Sequence, residues 1–362
     1  MEGANLRGVH LEGAFLYNAH FQGVALYDAY LEEADLSKAH LEEAYLNGAH
    51  LKGAILNGAH LEGITLNGAH LEGAILSEVH LERSSLIEAH LEGADLNKTH
   101  LEGADLIEAH LEGADLSYAH LEGTTLSLAF FNNATRLEGV TLGSEDHGFA
   151  TLVDVSWGDV NLAVVNWSQV KMLGDEYIAR LAKDEGKVKD MVTRLGEYEA
   201  SVRAIRQLAV ALRGQGLNED AARFAYRAQV LQKSVFWFRM LQPRIKLKQR
   251  LRSLGSWLFS WFLFLLAGYG YRPGRSFIAY LLAIGVFSAI YLALGATAVG
   301  PHHLKWYEAI VVSMTAFHGR GFLADQFKPG DPQAFVAAVE AFVGLIIEVT
   351  FIATLTQRFF GR

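Results

Sequence analysis

From Leu6 onward the chain returns to the same kind of residue every five positions: Leu6, Leu11, Leu16, Phe21, Leu26, Leu31 and onward to Leu126 and Phe131, 26 positions holding only Leu or Phe. Two residues before each stands a small or short side chain, usually Ala, as in Ala4, Val9, Ala14, Ala19, Val24 and Ala29. A period of five fits neither the 3.6 of a helix nor the 2.0 of a strand, so neither element keeps these residues on one face over such a length. A coil that turns a corner every five residues does, and a repeat of this kind overrides any local reading of secondary structure.

The unit A-x-L-x-x, for example Ala94-Asp95-Leu96-Asn97-Lys98, resembles the pentapeptide-repeat family. That resemblance implies a right-handed quadrilateral β-helix with four pentapeptides per coil. Leu or Phe and the small residue would point inward, and coils would stack at the ~4.8 Å spacing of hydrogen-bonded strands. The frame fails at Arg136 and resumes one residue later with Leu137, Leu142, His147, Leu152, Trp157, Leu162, Trp167 and Met172. The β-helix is therefore expected over residues 1–172, with a one-residue bulge near Asn133 to Arg136 and a local loop at Glu145 and His147, which do not suit a core.

A second period, of ten, overlies the first: His10, His20, His40, His50, His60, His70, His80, His90, His100, His110 and His120, with Tyr30 filling the gap. Glu follows two positions later in ten of these units. At twenty residues per coil this spacing makes two vertical ladders on opposite faces, with neighbours one strand spacing apart. Imidazole titrates near neutrality and ligates divalent metals, so His50, His60, His70, His80, His90, His100 and His110 read as a pH or metal ladder. The plainer reading is a stack of exposed imidazoles propagated by tandem duplication, with no resident metal or cofactor.

Charge divides the chain. Residues 1–150 hold 24 acids and 6 bases, a net −18, whereas the remaining 212 hold 16 acids and 25 bases, a net +9. Such asymmetry points to nucleic-acid or membrane contact in the second part. Some members of the repeat family use acidic surfaces to mimic duplex DNA; a solvated sheath that blunts exposed strand edges accounts for the acid equally. The absence of cysteine excludes disulfides, thiolate zinc sites, iron–sulfur clusters and thiol nucleophiles. The repeats bring together no nucleophile, acid–base pair or phosphate loop, so catalysis is not expected.

Residues 173–252 read as a helical adaptor. Ile205, Leu208 and Leu212 form an apolar stripe within Ala200 to Leu212, Gly214-Gln215-Gly216 stops it, and Asn218-Glu219-Asp220 opens a second helix from Ala221 to about Met240. The pair loosely resembles one tetratricopeptide unit, too little for a solenoid and suited to mechanical coupling.

Residues 253–362 read as membrane-embedded. Arg239, Arg244, Lys246, Lys248, Arg250 and Arg252 precede an apolar run over 254–267, which is short of the ~20 residues needed to cross and bounded by further positive charge, so it reads as interfacial. Residues 276–299 and 333–357 are each long enough to span, and the flanking basic residues put both termini in the cytoplasm. Between the spans, residues 304–322 hold a short apolar stretch leading into Gly319-Arg320-Gly321.

Span, short helix, glycine loop, span: in that order residues 269–362 resemble the two-transmembrane potassium-channel-type pore domain, and YGYRPGR and VEAFVGLIIEVTFIATLTQRF look like its bacterial versions. The resemblance implies a re-entrant pore loop, a homotetramer in the bacterial inner membrane, and passage of inorganic ions through it. Where the family carries T-T-V-G-Y-G-D, this chain has Ala316, Phe317, His318, Gly319, Arg320, Gly321 and Phe322, preceded by Thr315, so only the two glycines survive. An Arg320 side chain behind the filter leaves carbonyls facing the ion; one turned inward favours anions. Glu340, Gly344 and Glu348 lie at i, i+4 and i+8 on one face of the second span. They read either as acidic rings and a hinge lining the inner pore, or with Glu340 paired structurally to Arg320 or the short helix. The sequence thus predicts a tetrameric, cation-conducting membrane channel with a cytoplasmic β-helix. Its partners would be the bilayer, permeant ions and further copies of the chain, and not nucleic acid. The alternatives are an anion channel or a membrane-tethered scaffold with a vestigial pore.

Overall fold

The structure, a computed structural model, describes residues 3–184, 186–242, 246–271, 273–294, 305–319 and 332–360. It separates into two compact units, Met1–Lys246 and Leu247–Arg362.

In the first unit each pentapeptide closes a tight turn in which the small residue's N–H donates to the carbonyl of the preceding Leu, as Ala54 does to Leu51 at 2.9 Å. The next residue makes one parallel bridge to the residue twenty positions on: His40 to His60, Tyr45 to Thr65, His50 to His70 and Ile55 to Ile75. Four bridge columns per coil give the four sides. Leu51, Ala54, Leu71 and Ala74 are fully buried in the stack. The third turn residue has positive φ, which glycine adopts freely and Glu33 and Lys38 also take, both at 54°. At Gly123 the requirement is steric as well, because a Cβ there would stand 2.3 Å from the His147 carbonyl oxygen. Where Ser84, Thr99 and Thr124 replace the inward Ala, their hydroxyls donate to the Leu61, Leu76 and Leu101 carbonyls at 2.7, 2.9 and 2.8 Å. The buried polar atoms are thereby satisfied.

The bridge spacing holds at twenty through His110 and Phe130, becomes 21 at Asp115 and Arg136, and 26 at Thr125 and Thr151. The single extra residue is absorbed at Asn132 to Thr135: Asn132 Oδ1 accepts the Gly113 N–H at 2.9 Å, and Thr135 Oγ1 donates to the Leu111 carbonyl at 2.8 Å. The further five form an antiparallel hairpin, β1 (Gly143–Ser144) and β2 (Gly148–Phe149), with Glu145 and His147 at its tip. Because the hairpin consumes one whole pentapeptide, Leu152, Leu162 and Trp167 return to the inward phase and are buried. Among the described residues the bridges stop at Ser156, and 3₁₀ turns at Leu162–Val164 and Trp167–Gln169 make the last corners, with Val165, Trp167 and Val170 still buried inward. Met172, at the frame's last Leu position, is only half-buried.

Next come α1 (Gly174–Arg180), a small hairpin of β3 (Lys183–Asp184) and β4 (Lys187–Val188), α2 (Met191–Gly214) and α3 (Asn218–Leu241). Ile205, Leu208 and Leu212 are fully buried, in one continuous core with Phe224 and the leucine stack. Helix α2 starts nine residues before the expected Ala200 because Asp190 caps it, its Oδ1 accepting the Thr193 N–H at 2.7 Å. Asp190→Ala should therefore cost about 1 kcal/mol, read as a lowered thermal midpoint.

The helices cover the C-terminal end of the β-helix, whose edge groups would otherwise invite strand pairing. Gln215 accepts from the Leu162 N–H at 2.8 Å and donates to the Val160 carbonyl at 2.5 Å. Arg223 donates to the Trp167 carbonyl, Arg227 pairs with buried Glu176, and Asp175 accepts the Leu152 N–H at 2.8 Å. Burial, aided by the nearby Asp154 charge, outweighs that bond and pushes the Asp175 carboxyl up to about 6. A carboxyl that holds its proton more tightly folded than unfolded loses stability as pH rises from about 4 to about 6, and no further above. Asp175→Asn keeps an acceptor for Leu152 and removes the charge. Its melting free energy relative to wild type should improve by about 2 kcal/mol between about pH 4 and pH 7.

The second unit comprises α4 (Leu247–Ala267), a turn at Gly268–Gly270, α5 (Pro273–Leu294), α6 (Trp306–Phe317) and α7 (Pro332–Phe360). Helix α4 begins seven residues before the expected 254, so Lys248, Arg250 and Arg252 form its first turns and the apolar run its remainder. It is tied to α5 by Ser276 Oγ, which donates to the Leu266 carbonyl at 3.0 Å, and by Arg275, which donates to the Phe264 carbonyl at 2.8 Å. Gly274–Leu294 and Pro332–Thr356 are long and apolar enough to cross a membrane, with mean hydropathies of 2.3 and 2.2. The expected end of the first span, at 299, lies outside the described residues.

Candidate functional site

Twelve-residue α6 packs against both α5 and α7. Three successive turns of α7 hold it. Glu340 is fully buried, its Oε2 accepting from the Tyr291 hydroxyl of α5 at 2.9 Å and its Oε1 from the Ser313 hydroxyl of α6. One turn on, Gly344 lets the Phe317 carbonyl approach so closely that an added Cβ would stand 2.1 Å from its oxygen. A further turn on, Glu348 pairs with His318 Nδ1, while the Tyr280 hydroxyl lies 3.4 Å from His318 Nε2. Glu340, Gly344 and Glu348 do share one face, and that face grips the short helix. Glu340 is thus turned inward among α5, α6 and α7, bonded to Tyr291 and Ser313, in place of the expected exposed acidic ring. Gly344 serves close packing, which a hinge role does not require.

The residues read as filter also divide. Thr315, Ala316 and Phe317 stand in the last turn of α6 and not in a loop, with the Thr315 hydroxyl bonded back to the Val311 and Val312 carbonyls at 3.0 and 2.9 Å. His318 ends the helix, and Gly319 follows at φ +61°, the left-handed conformation that commonly terminates helices. Arg320, Gly321 and Phe322 lie outside the described residues.

The histidine ladders form as the spacing requires. His20, His40, His60, His80, His100 and His120 stack with ring centroids 4.8–5.3 Å apart and planes within 8°. On the other face the column runs His10, Tyr30, His50, His70, His90, His110 and Phe130, at 4.4–5.2 Å. Except at His20 and His50, where Gln22 and Lys52 follow, histidine Nδ1 lies near Oε1 of the glutamate two residues on, at 3.0 Å for His70 and Glu72 and 3.1 Å for His80 and Glu82. The tautomer with Nδ1 protonated makes this contact a donation to the carboxylate. Burial opposes ionisation of Glu42, but its backbone N–H, the His40 bond and the charges of His40 and His60 hold its carboxyl below the usual range. The other oxygen of these glutamates, Oε2, is buried without a hydrogen-bond partner from Glu62 through Glu122, a feature no sequence period announces.

A closed coil of five-residue units with one bridge at each corner defines a four-sided β-helix, the solenoid class whose long regular faces suit scaffolding and interaction. The pentapeptide-repeat family model matches residues 1–37, 26–63, 64–103 and 96–133, and this part of the chain belongs to that family. Among solved structures, the chain is similar to HetL of Nostoc sp. strain PCC 7120, a pentapeptide repeat protein involved in heterocyst differentiation regulation. The identity is 28%, over 44% of this chain and 85% of that one, with a TM-score of 0.30. It is also similar to Rfr23 of Cyanothece 51142, 38% identical over 26% of this chain and 64% of that one, with a TM-score of 0.26. A further pentapeptide repeat protein of Nostoc PCC 7120 is 30% identical over 27% of this chain and 84% of that one, with a TM-score of 0.16. No curated protein sequence matches the chain. The potassium-channel family gives no match.

Proposed function

We propose that the protein is an oligomeric membrane channel in which α5, α6 and α7 form one subunit's share of the pore and the β-helix serves as a cytoplasmic sensor or scaffold. The observation that carries this reading is α6 itself, a helix too short to cross a bilayer, seated between two helices long enough to do so and gripped by Glu340, Gly344 and Glu348. A half-length helix at membrane depth is stable only where protein encloses its ends and the backbone that follows, as in pore domains. By its resemblance to the two-transmembrane pore domain one such subunit would supply a quarter of a pore, and four copies are expected. With Glu340 bonded inside the subunit, the acidic argument for cations rests on Glu348 alone. Cation passage remains the assigned selectivity, with Arg320 the residue whose orientation decides it.

The second reading, a membrane-tethered interaction scaffold whose pore does not conduct, is favoured by the family match, which ends at residue 133. Purified protein in vesicles separates the two. The channel reading expects a native mass of four copies and dissipation of a potassium or sodium gradient. Four copies without flux of any inorganic ion would leave the scaffold reading standing.

A further inference from the structure

We propose that the glutamate–histidine ladders of the β-helix bind divalent transition-metal cations at their carboxylate–imidazole groups. The inference is independent of the channel reading. In one ladder the groups are Glu42, His60 and Glu62, then Glu62, His80 and Glu82, then Glu82, His100 and Glu102; in each, one donor atom per residue lies within 4.8 Å of the others. The opposite ladder holds His70, Glu72 and His90, and then Glu92, His110 and Glu112, on the same terms.

Acidic side chains clustered on a surface mean little, and three further features separate these ladders from such a cluster. The first is the imidazole in every group, held in place by a backbone bridge such as His60 to His80 and by the stacked ring above it. The second is the orphaned oxygen: Oε2 of Glu62, Glu82 and Glu102 is shut from water with no hydrogen-bond partner. A buried anionic oxygen without a partner is costly, and a cation beside it removes that cost. The third is the donor set, since mixed nitrogen and carboxylate ligands suit zinc, nickel and copper, whereas calcium takes six to eight oxygens.

Bonds of about 2.0–2.2 Å place ligand atoms roughly 3.5 Å from one another, so the donors must close by about 1 Å from their present separation. Rotation about the broad terminal torsion of glutamate supplies that movement. On binding, the neutral imidazole gives Nδ1 to the metal and carries its single proton on Nε2, so no net proton is released from the ring. Glu62 and Glu82 each belong to two groups, and two dications one strand spacing apart repel. Alternate groups therefore fill, giving about two to four ions per chain.

The test is equilibrium dialysis of the full-length detergent-solubilised protein against zinc or nickel chloride near neutral pH, with and without millimolar calcium. Wild type should retain about two to four ions per chain, unaffected by calcium, and melt at a higher temperature with metal than without. The variant Glu62→Gln/Glu82→Gln/Glu102→Gln keeps every imidazole and should lose about half of that binding. His70→Asn/His90→Asn, on the opposite face, should lose part of the remainder. Undiminished binding by the glutamine variant would overturn the proposal, because imidazoles alone would then explain the retention. Displacement by calcium, or less than one ion on wild type, would do the same. Should the triple variant lose its far-ultraviolet dichroism, single Glu82→Gln gives the same comparison.

Discussion

Gly344→Ala is expected to unseat α6 from α7. The added Cβ would lie 2.1 Å from the Phe317 carbonyl oxygen and 3.0 Å from both the carbonyl carbon and Phe317 Cδ1. Two of those atoms are backbone, so no rotamer change relieves the clash and the helices must part by about 1 Å. Overpacking by one methyl group costs about 1–3 kcal/mol where side chains can give way; against backbone the cost should exceed about 3 kcal/mol. The cluster of Leu266, Ile284, Phe317 and Ile347 opens with it, as does the pairing of His318 with Glu348. Thermal melting in detergent checks this. Gly285→Ala in α5 is the control: nothing lies within 4 Å of its Cβ position, so the same change should be neutral or stabilising.

Glu340→Leu should also destabilise the bundle, for a different reason. The carboxylate accepts from the Tyr291 and Ser313 hydroxyls, all three side chains being fully buried, so its loss strands the Tyr291 hydroxyl and leaves Ser313 only the Ile284 carbonyl, 3.2 Å away. A buried hydroxyl left without an acceptor costs about 1–3 kcal/mol, which is the loss expected here. Removing the donors as well should restore most of the loss, since an apolar trio leaves nothing unsatisfied. The measurement is the melting transition of Glu340→Leu against that of Tyr291→Phe/Ser313→Ala/Glu340→Leu. Absence of rescue would mean that Glu340 acts other than as their acceptor.

The β-helix was legible in the sequence because each of its units is local: five residues carry the turn, the inward pair and the bridge, and repetition does the rest. The ladders followed from the same arithmetic, since ten is half a coil. The bulge at Asn132 to Thr135 was visible as a broken frame, but the side chains that mend it were not, because Gly113 meets Asn132 only across coils. The hairpin at Gly143 to Phe149 kept the five-residue phase, and so only Glu145 and His147 betrayed it. In the second unit the face shared by Glu340, Gly344 and Glu348 could be read from helical spacing. What that face touches could not, because it depends on where α6 packs, and a buried acid and a pore-lining acid look alike in sequence. Thr315 to Phe317 align with the filter by resemblance alone, and nothing before Gly319 in that stretch stops a helix.

The most direct measurement is planar-bilayer recording of the purified full-length protein alongside Gly344→Ala, in symmetric and then asymmetric potassium and sodium chloride. Discrete current steps from wild type, a reversal potential set by the cation gradient, and their loss in Gly344→Ala are the predicted result. No current from wild type at any voltage or salt, from protein shown to be inserted and folded, would contradict the account.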